Sequence, residues 1–353
     1  MSSALLEKAL DVGLSESDIR NDPLFLEGDA LNVLKTFPDE SIDFAMTSPP
    51  YWSKREYSNG GIGLEKHYND FIDHLLLVFS ELKRVLKKTG SFWLNIGDSY
   101  LNKQLIGVPW RLAIRMMDEQ GWYLRNEIIW NKVKGGPDQA KDKLGNVHEQ
   151  VFHFVKDLRH YFYDTDAIRH PPRKTRIVNG AVISATGVTG IRYKRQIELS
   201  TILSKKEKMA AFAALQETLR KTRDGEIADF RMIIRGQQRT THSDSIKLSG
   251  RAKELEEKGF YFLNYHKNGS KPRDVWDILP EDTQKRDKHY AAYPEDLCRI
   301  PILATCPKSG VVLDPFVGTG TTTLVAKKLG RKSIGIDMSP EYLQIAKDRC
   351  IIM

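Results

Sequence analysis

Cysteine is scarce in this chain. Cys298, Cys306 and Cys350 form no close pair among 353 residues, which excludes a disulfide framework and a cysteine zinc site. A reduced compartment follows. Long apolar runs are lacking too. No stretch reaches the ~18 apolar residues of a membrane span, and the first residues show no basic-then-apolar signal pattern. A cytoplasmic protein that does not enter a membrane is expected. Metal spacing is missing as well. His148-Glu149 is followed by His153, five residues on rather than four, so the rings would not share a helix face as a zinc helix requires. No metal is expected.

Positive charge is present in excess and unevenly spread. The formal net charge is +8. Residues 165–288 carry 26 Lys and Arg against 16 Asp and Glu, while the rest carries 28 against 30. A positive field confined to mid-chain fits nucleic acid; a solvated Lys-rich insertion is the plain alternative.

Outside that segment strands and helices alternate, which indicates a mainly parallel sheet in an α/β fold. Strands are read at residues 24–26, 42–46, 91–96, 126–130, 150–155, 311–314 and 333–337. Phe71, Leu75, Val78, Phe79, Leu82 and Leu86 recur at helical spacing over 68–88, with Gly90 as the expected stop. Further helices are read at 108–120, 295–304, 321–329 and 340–349. Residues 165–288 lose the rhythm; 207–221 is their one clear helix. Three segments follow: 1–164 and 289–353 as two parts of one catalytic domain, and 165–288 as a basic insertion.

Two short runs carry the chemistry. The first is Ser48-Pro49-Pro50-Tyr51, within Thr47 to Trp52. Both prolines lock φ and lack an N–H, so the turn is rigid and offers carbonyl acceptors. Such a turn can hold the edge of a planar amine while the tyrosine covers its face. It follows a buried strand, where open α/β sheets place their ligands. Alone, the run reads more readily as a surface turn or linker.

The second run is Asp314-Pro315-Phe316-Val317-Gly318-Thr319-Gly320-Thr321. It reads as strand, glycine turn and helix, with Thr321 or Thr322 as the helix cap. The next strand ends in Asp337, placed to hold ribose hydroxyls. Thr323 stands where a dinucleotide site would have its third glycine. Asp314 would repel a pyrophosphate but suits the ammonium of S-adenosylmethionine. Only two strands follow Val311, so the remaining strands must come from the N-terminal half. A circularly permuted, doubly wound sheet follows, with both turns on one edge.

With both motifs placed, the chain resembles the β group of amino-methylating DNA methyltransferases from bacterial restriction–modification systems. The resemblance spans nearly everything outside 165–270. It implies a Rossmann-like methyltransferase sheet with 165–288 as target-recognition domain. It also implies S-adenosylmethionine as methyl donor, double-stranded DNA as substrate and a restriction endonuclease as possible companion. Ser48, Pro49, Pro50 and Tyr51 match the family's catalytic motif. Asp314, Pro315, Phe316, Gly318, Thr319, Gly320 and Thr321 match its cofactor motif. Asp29, Thr47, Asp98 and Asp337 are placed with the cofactor, and His289 to Leu297 resembles the helix entry over its methionine end. The Ser form of the first motif resembles the N4-cytosine enzymes; N6-adenine is the alternative. The target lies inside a duplex and must be flipped out, for Tyr51 to stack on while Pro49 and Ser48 bond its amine or neighbouring ring nitrogen.

Arg192, Lys194, Arg195, Arg231, Arg235 and Arg239 are the candidate DNA contacts, since phosphates and base edges call for such side chains. Two rival readings remain. One is a DNA-binding regulator on an inactive methyltransferase fold. The other is methylation of a protein glutamine amide, whose usual motif begins with Asn.

Overall fold

A computed structural model describes residues 22–53, 61–135, 140–172, 175–179, 181–185, 187–236, 250–281 and 293–351. Arg239 and residues 289–292 lie outside them. The chain divides into two units, one of residues 1–167 and 273–353, the other of 168–272. Among the described residues no helix is long and apolar enough to cross a membrane.

The larger unit is built on one eight-stranded sheet. Its strands are β1 (Leu24–Glu27), β2 (Ile42–Thr47), β3 (Leu86–Ile96), β6 (Tyr123–Asn131), β7 (His148–Val155), β12 (Val275–Asp277), β13 (Val311–Asp314) and β14 (Lys332–Asp337). The order is β1-β14-β13-β2-β3-β7-β6-β12. The late strands β13 and β14 stand between β1 and β2, so the order is circularly permuted. The sheet is mixed: β7 pairs antiparallel with both β3 and β6, while the other pairings are parallel. The ribbon β4 (Tyr100–Leu101) and β5 (Gln104–Leu105) follows β3.

Helices α1 (Ala30–Lys35), α2 (Tyr68–Val85), α3 (Val108–Gln120), α7 (Glu295–Thr305), α8 (Thr321–Lys328) and α9 (Pro340–Ile351) belong to this unit. Phe71, Leu75, Val78, Phe79 and Leu82 of α2 are 0–1% exposed, each worth about 1.5–3 kcal/mol of burial. They pack with Ile42, Phe92 and Leu94 of the sheet and Leu112 and Met116 of α3. Phe44, Trp93, Trp130, Val312 and Ile302 of α7 belong to a second core cluster.

Three sequence expectations are corrected. Gly90 does not stop α2; the helix ends at Val85 and Gly90 lies inside β3. A Cβ there would stand 3.0 Å from the Asp43 carbonyl oxygen and 2.6 Å from Leu86 Cγ, so glycine serves a close strand approach. The register beside it is irregular between Ile42 and Phe44. Neither Thr321 nor Thr322 caps α8; Gly320, at φ 80°, is the cap residue and no side chain bonds there. Finally, residues 273–281 do not go with the insertion as the 165–288 boundary expected, because β12 bonds alongside β6 through Val275–Ile129, Trp276–Trp130 and Asp277–Asn131.

The smaller unit holds β8 (Arg176–Val178), β9 (Ala181–Ile183), α4 (Gly190–Leu199), α5 (Lys205–Arg223), β10 (Ile227–Ile234), α6 (Gly250–Lys258) and β11 (Phe260–His266). Its core joins Tyr193 and Ile197 of α4, Ala211 and Leu215 of α5, and Phe230 and Phe260 of the β10–β11 pair. Ser204 and Glu207 close a capping box on α5, the arrangement that satisfies two helix-start donors at once.

Candidate active site

Strand ends position the site. β2 and β13 are neighbours, with Val312 opposite Phe44 and Leu313 opposite Ala45. The Pro-Pro turn after Thr47 and the glycine turn after Asp314 therefore leave the same sheet edge. They are tied directly: the Thr47 hydroxyl donates to Asp314 Oδ1 at 2.6 Å. Asp314 is 1% exposed and is held by three more donors. The Phe316 N–H bonds Oδ1 at 3.1 Å, the Thr322 hydroxyl bonds Oδ2 at 2.6 Å, and the Tyr293 hydroxyl bonds Oδ2 at 3.0 Å. The Tyr293 and Thr322 hydroxyls also stand beside each other, but with one hydrogen apiece spent on Asp314 neither has one left for the other. Burial raises the Asp314 carboxyl above its ordinary range, against the pull of the Thr322 and Thr47 hydroxyls. Burial, then the Asp314 charge, pushes the Tyr293 phenol well up, so it stays a donor. Four donors fill a carboxylate's ordinary capacity. Asp314 is thus the clamp between the two turns.

The glycine turn is shaped by the next strand. Gly318, at φ 51°, donates its N–H to Asp337 Oδ2 at 2.9 Å. Asp337 Oδ1 accepts from the Ser339 N–H at 2.8 Å. Burial raises the Asp337 carboxyl, with those backbone bonds opposing. A Cβ on Gly320 would stand 2.7 Å from Ala346 Cβ, so α9 packs against bare backbone. Pro315 and Thr319 are buried in the turn; Phe316 is partly buried and packs against the core around β2 and α2. Thr319 and Thr321 are bonded by Arg349 of α9.

Beside Asp337 lies a cavity of about 480 Å³. Leu31, Ile62, Leu64, Leu77, Val78 and Met338 give it apolar walls, and Asp29, Glu65 and His74 give polar edges. Asp29 caps α1, accepting from the Asn32 N–H at 3.0 Å. The Gly28 N–H bonds the Asp337 carbonyl at 3.0 Å, which brings Asp29 and Asp337 to adjoining strand ends. An apolar slot flanked by carboxylates suits a flat aromatic ring joined to a hydroxylated sugar. Asp98 does not line this cavity; it accepts from the Ser99 N–H and from the Gly107 and Val108 N–H groups at the start of α3.

On the other side of Thr47, Tyr51 is held by a network the sequence did not disclose. Its hydroxyl donates to Glu149 Oε2 at 2.7 Å and accepts from Ser48 Oγ at 3.2 Å. Asn95 Nδ2 donates to the same Glu149 oxygen at 3.0 Å, and Lys132 pairs with Oε1. Asn95 Oδ1 has no partner among the described residues. Burial, then the Glu149 charge, pushes the Tyr51 phenol well above its ordinary range; hydrogen bonds with Ser48 and the Gly97 backbone pull the other way. Gly97 is required here, since a Cβ would meet Tyr51 Cε2 at 2.7 Å. Trp52 points away, 5% exposed, with its indole N–H on the Glu65 carbonyl. Glu149 was visible only as part of a failed zinc pattern. Its signal was the alternation of β7, which sets Glu149, Val151 and His153 on one face.

In the smaller unit Arg192 and Arg195 line a surface groove along α4 with Thr189, Ile191, Gln196 and Leu199. Ile191 is 74% and Leu199 68% exposed. Lys194 is exposed and lies 4.0 Å from Glu198. Arg231 is exposed on β10. Arg235 is engaged within the unit, with Glu207 at 3.0 Å and the Glu256 carbonyl at 2.8 Å.

Known proteins resemble this chain. Residues 42–348 match the N6/N4 methyltransferase family model, described as DNA methylase. The type II methyltransferase M.SfiI of Streptomyces fimbriatus is 30% identical over 90% of this chain and 88% of its own. M.SmaI of Serratia marcescens is 28% identical over 95% and 93%. Among solved structures, the cytosine-N4-specific PvuII DNA methyltransferase superposes with a TM-score of 0.54 at 20% identity, covering 93% of this chain and 86% of its own; at that identity the likeness is one of fold. With two thirds of the chain and more inside the family match, this protein belongs to the DNA methylase family of S-adenosylmethionine-dependent methyltransferases.

Proposed function

We propose that the chain is a site-specific type II methyltransferase that methylates the exocyclic N4 amine of a flipped cytosine in double-stranded DNA. Protection against a companion restriction endonuclease is the expected purpose, and the M.SfiI and M.SmaI relatives support it. The observation that carries the reading is the Thr47–Asp314 hydrogen bond of 2.6 Å. It fixes an amine-holding turn against a cofactor-holding turn, and that juxtaposition is what methyl transfer to an amine needs.

S-adenosylmethionine supplies an electrophilic methyl group. Asp337 and Asp29 face its ribose and adenine end, the apolar walls from Leu31 to Met338 take the ring, and the Gly318–Gly320 turn lets the backbone come close. Asp314 contributes charge near the methionine end while clamping the turn. Tyr51 stacks on the extruded base. Pro49 and Ser48 bond its amine edge and draw electron density onto the nitrogen, a case of preorganised dipoles. Glutamine-amide methylation leaves the basic smaller unit without a role. That unit is proposed as the target-recognition domain, with Arg192 and Arg195 on phosphates or base edges, Ile191 and Leu199 as apolar contacts, and Lys194 and Arg231 as further cations. Arg235 holds Glu207 instead.

The test is transfer of labelled methyl from S-adenosylmethionine to duplex DNA, followed by digestion to nucleosides. N4-methylcytosine is the expected product. N6-methyladenine alone would move the assignment to the adenine alternative, and a protein that binds DNA but not S-adenosylmethionine would be a regulator.

A further inference from the structure

The hydrogen-bond chain from Ser48 through Tyr51 to Glu149 has a fixed direction. Glu149, paired with Lys132, is a carboxylate and only accepts. Tyr51 has one hydroxyl hydrogen, and at 2.7 Å it goes to Glu149. The Tyr51 oxygen therefore meets Ser48 as an acceptor, and the one Ser48 hydrogen goes to Tyr51 over 3.2 Å. What Ser48 has left is lone pairs.

We infer that Glu149 is a positioning residue which, acting through Tyr51, makes Ser48 a pure hydrogen-bond acceptor toward the substrate and so commits it to the exocyclic amine rather than to the ring nitrogen. The inference rests on the methyl-transfer reading and deepens it. The ring nitrogen beside the amine is an acceptor in both cytosine and adenine and needs a donor; an oxygen with its hydrogen spent has none to give. The amine carries two N–H groups. Ser48 Oγ can take one and the Pro49 carbonyl the other. Two acceptors on those hydrogens localise the nitrogen lone pair that must attack, whereas a donor on the ring nitrogen would withdraw it.

The supporting residues fit this task. Asn95 and Lys132 also donate to Glu149, so the carboxylate is held on both oxygens. Gly97, lacking a Cβ, leaves room for the Tyr51 ring. Glu149 sits at the start of β7, which pairs with β3 through Ile96–Gln150 and Asn95–Val151. The single reversed strand of the sheet thus delivers an acid to the edge where the Pro-Pro turn ends.

The test is a double-mutant cycle on the full chain with duplex DNA. Glu149→Gln keeps the shape, but its amide can donate as well as accept, so Ser48 is no longer held to one polarity. The expected single-turnover methylation rate falls about 10²-fold, with the Kd for S-adenosylmethionine and for DNA unchanged by calorimetry and filter binding. Ser48→Ala falls similarly, and Glu149→Gln adds nothing further in the Ser48→Ala background, because both act on one hydrogen bond. Glu149→Asp recovers part of the rate. Losses that multiply in the double variant, or a Glu149→Gln enzyme of full rate, would overturn the inference while leaving the proposed function intact. A wild-type protein that methylates no DNA would instead sink the proposed function and the inference with it. Thermal melting of each variant separates a chemical loss from unfolding, and a Glu149→Gln rate loss fully matched by lost folded protein counts against the inference.

Discussion

Replacing Thr47 by Val removes one hydroxyl and little else. The residue is 0% exposed, and valine fills the same volume, so no cavity opens. The loss is the 2.6 Å bond to Asp314. A hydrogen bond to a charged group is worth about 1.5–3 kcal/mol, and that range is the expected destabilisation at neutral pH. The pH dependence follows from Asp314. Burial raises its carboxyl, and the Thr47 bond opposes the rise. A carboxyl raised on folding contributes stability that is complete below the unfolded pKa and is lost as pH climbs through the folded one. Without Thr47 the carboxyl rises further, so more is lost. The gap between variant and wild type is therefore small in acid, widens through the carboxylate range and is full at neutrality. Urea unfolding of both proteins across that range measures it. A gap below ~0.5 kcal/mol at neutral pH, or one equally large in acid, would refute the clamp. Methylation should suffer as well, since about 1 Å of misplacement between reacting groups costs ~10²-fold.

Four other substitutions separate turnover, cofactor binding and DNA binding. Gly97→Ala drives a Cβ into Tyr51 at 2.7 Å; turnover should drop about 10²-fold while S-adenosylmethionine affinity, read by calorimetry, holds. Asp337→Ala strips acceptors from the Gly318 and Ser339 N–H groups; S-adenosylmethionine affinity should weaken about 10- to 150-fold, with DNA affinity unchanged in filter binding. Arg192→Ala and Arg195→Ala should each weaken DNA binding and lower the slope of log affinity against log salt by about one if the arginine bonds a phosphate; unchanged binding in both would remove α4 from the interface.

Much of the fold was legible because its signals are local. The glycine turn between β13 and α8, the apolar spacing of α2 and the Pro-Pro turn are each read within a dozen residues. The permuted order also followed from strand counting, since two strands after Val311 cannot make a doubly wound sheet alone. The misses share a cause: they depend on partners far away in sequence. Gly90 looked like a helix stop because the close approach of Asp43 is not written beside it. Thr322 looked like a cap because its true neighbours, Asp314 and Tyr293, come from a strand and from the approach to α7. Residues 275–277 looked like insertion until β6 offered them an edge. Glu149 escaped because the chemistry of an acid depends on what stands opposite, and Tyr51 is 98 residues away.

The central claim is that the turn from Ser48 to Tyr51 presents a cytosine amine to a methyl donor at a fixed DNA site. Sequencing modified bases in DNA from cells that express the chain tests it most directly. N4-methylcytosine at one position of one short sequence, lost in the Tyr51→Ala variant, is the expected result. Methyladenine at that site, or methylation with no sequence in common, would contradict it.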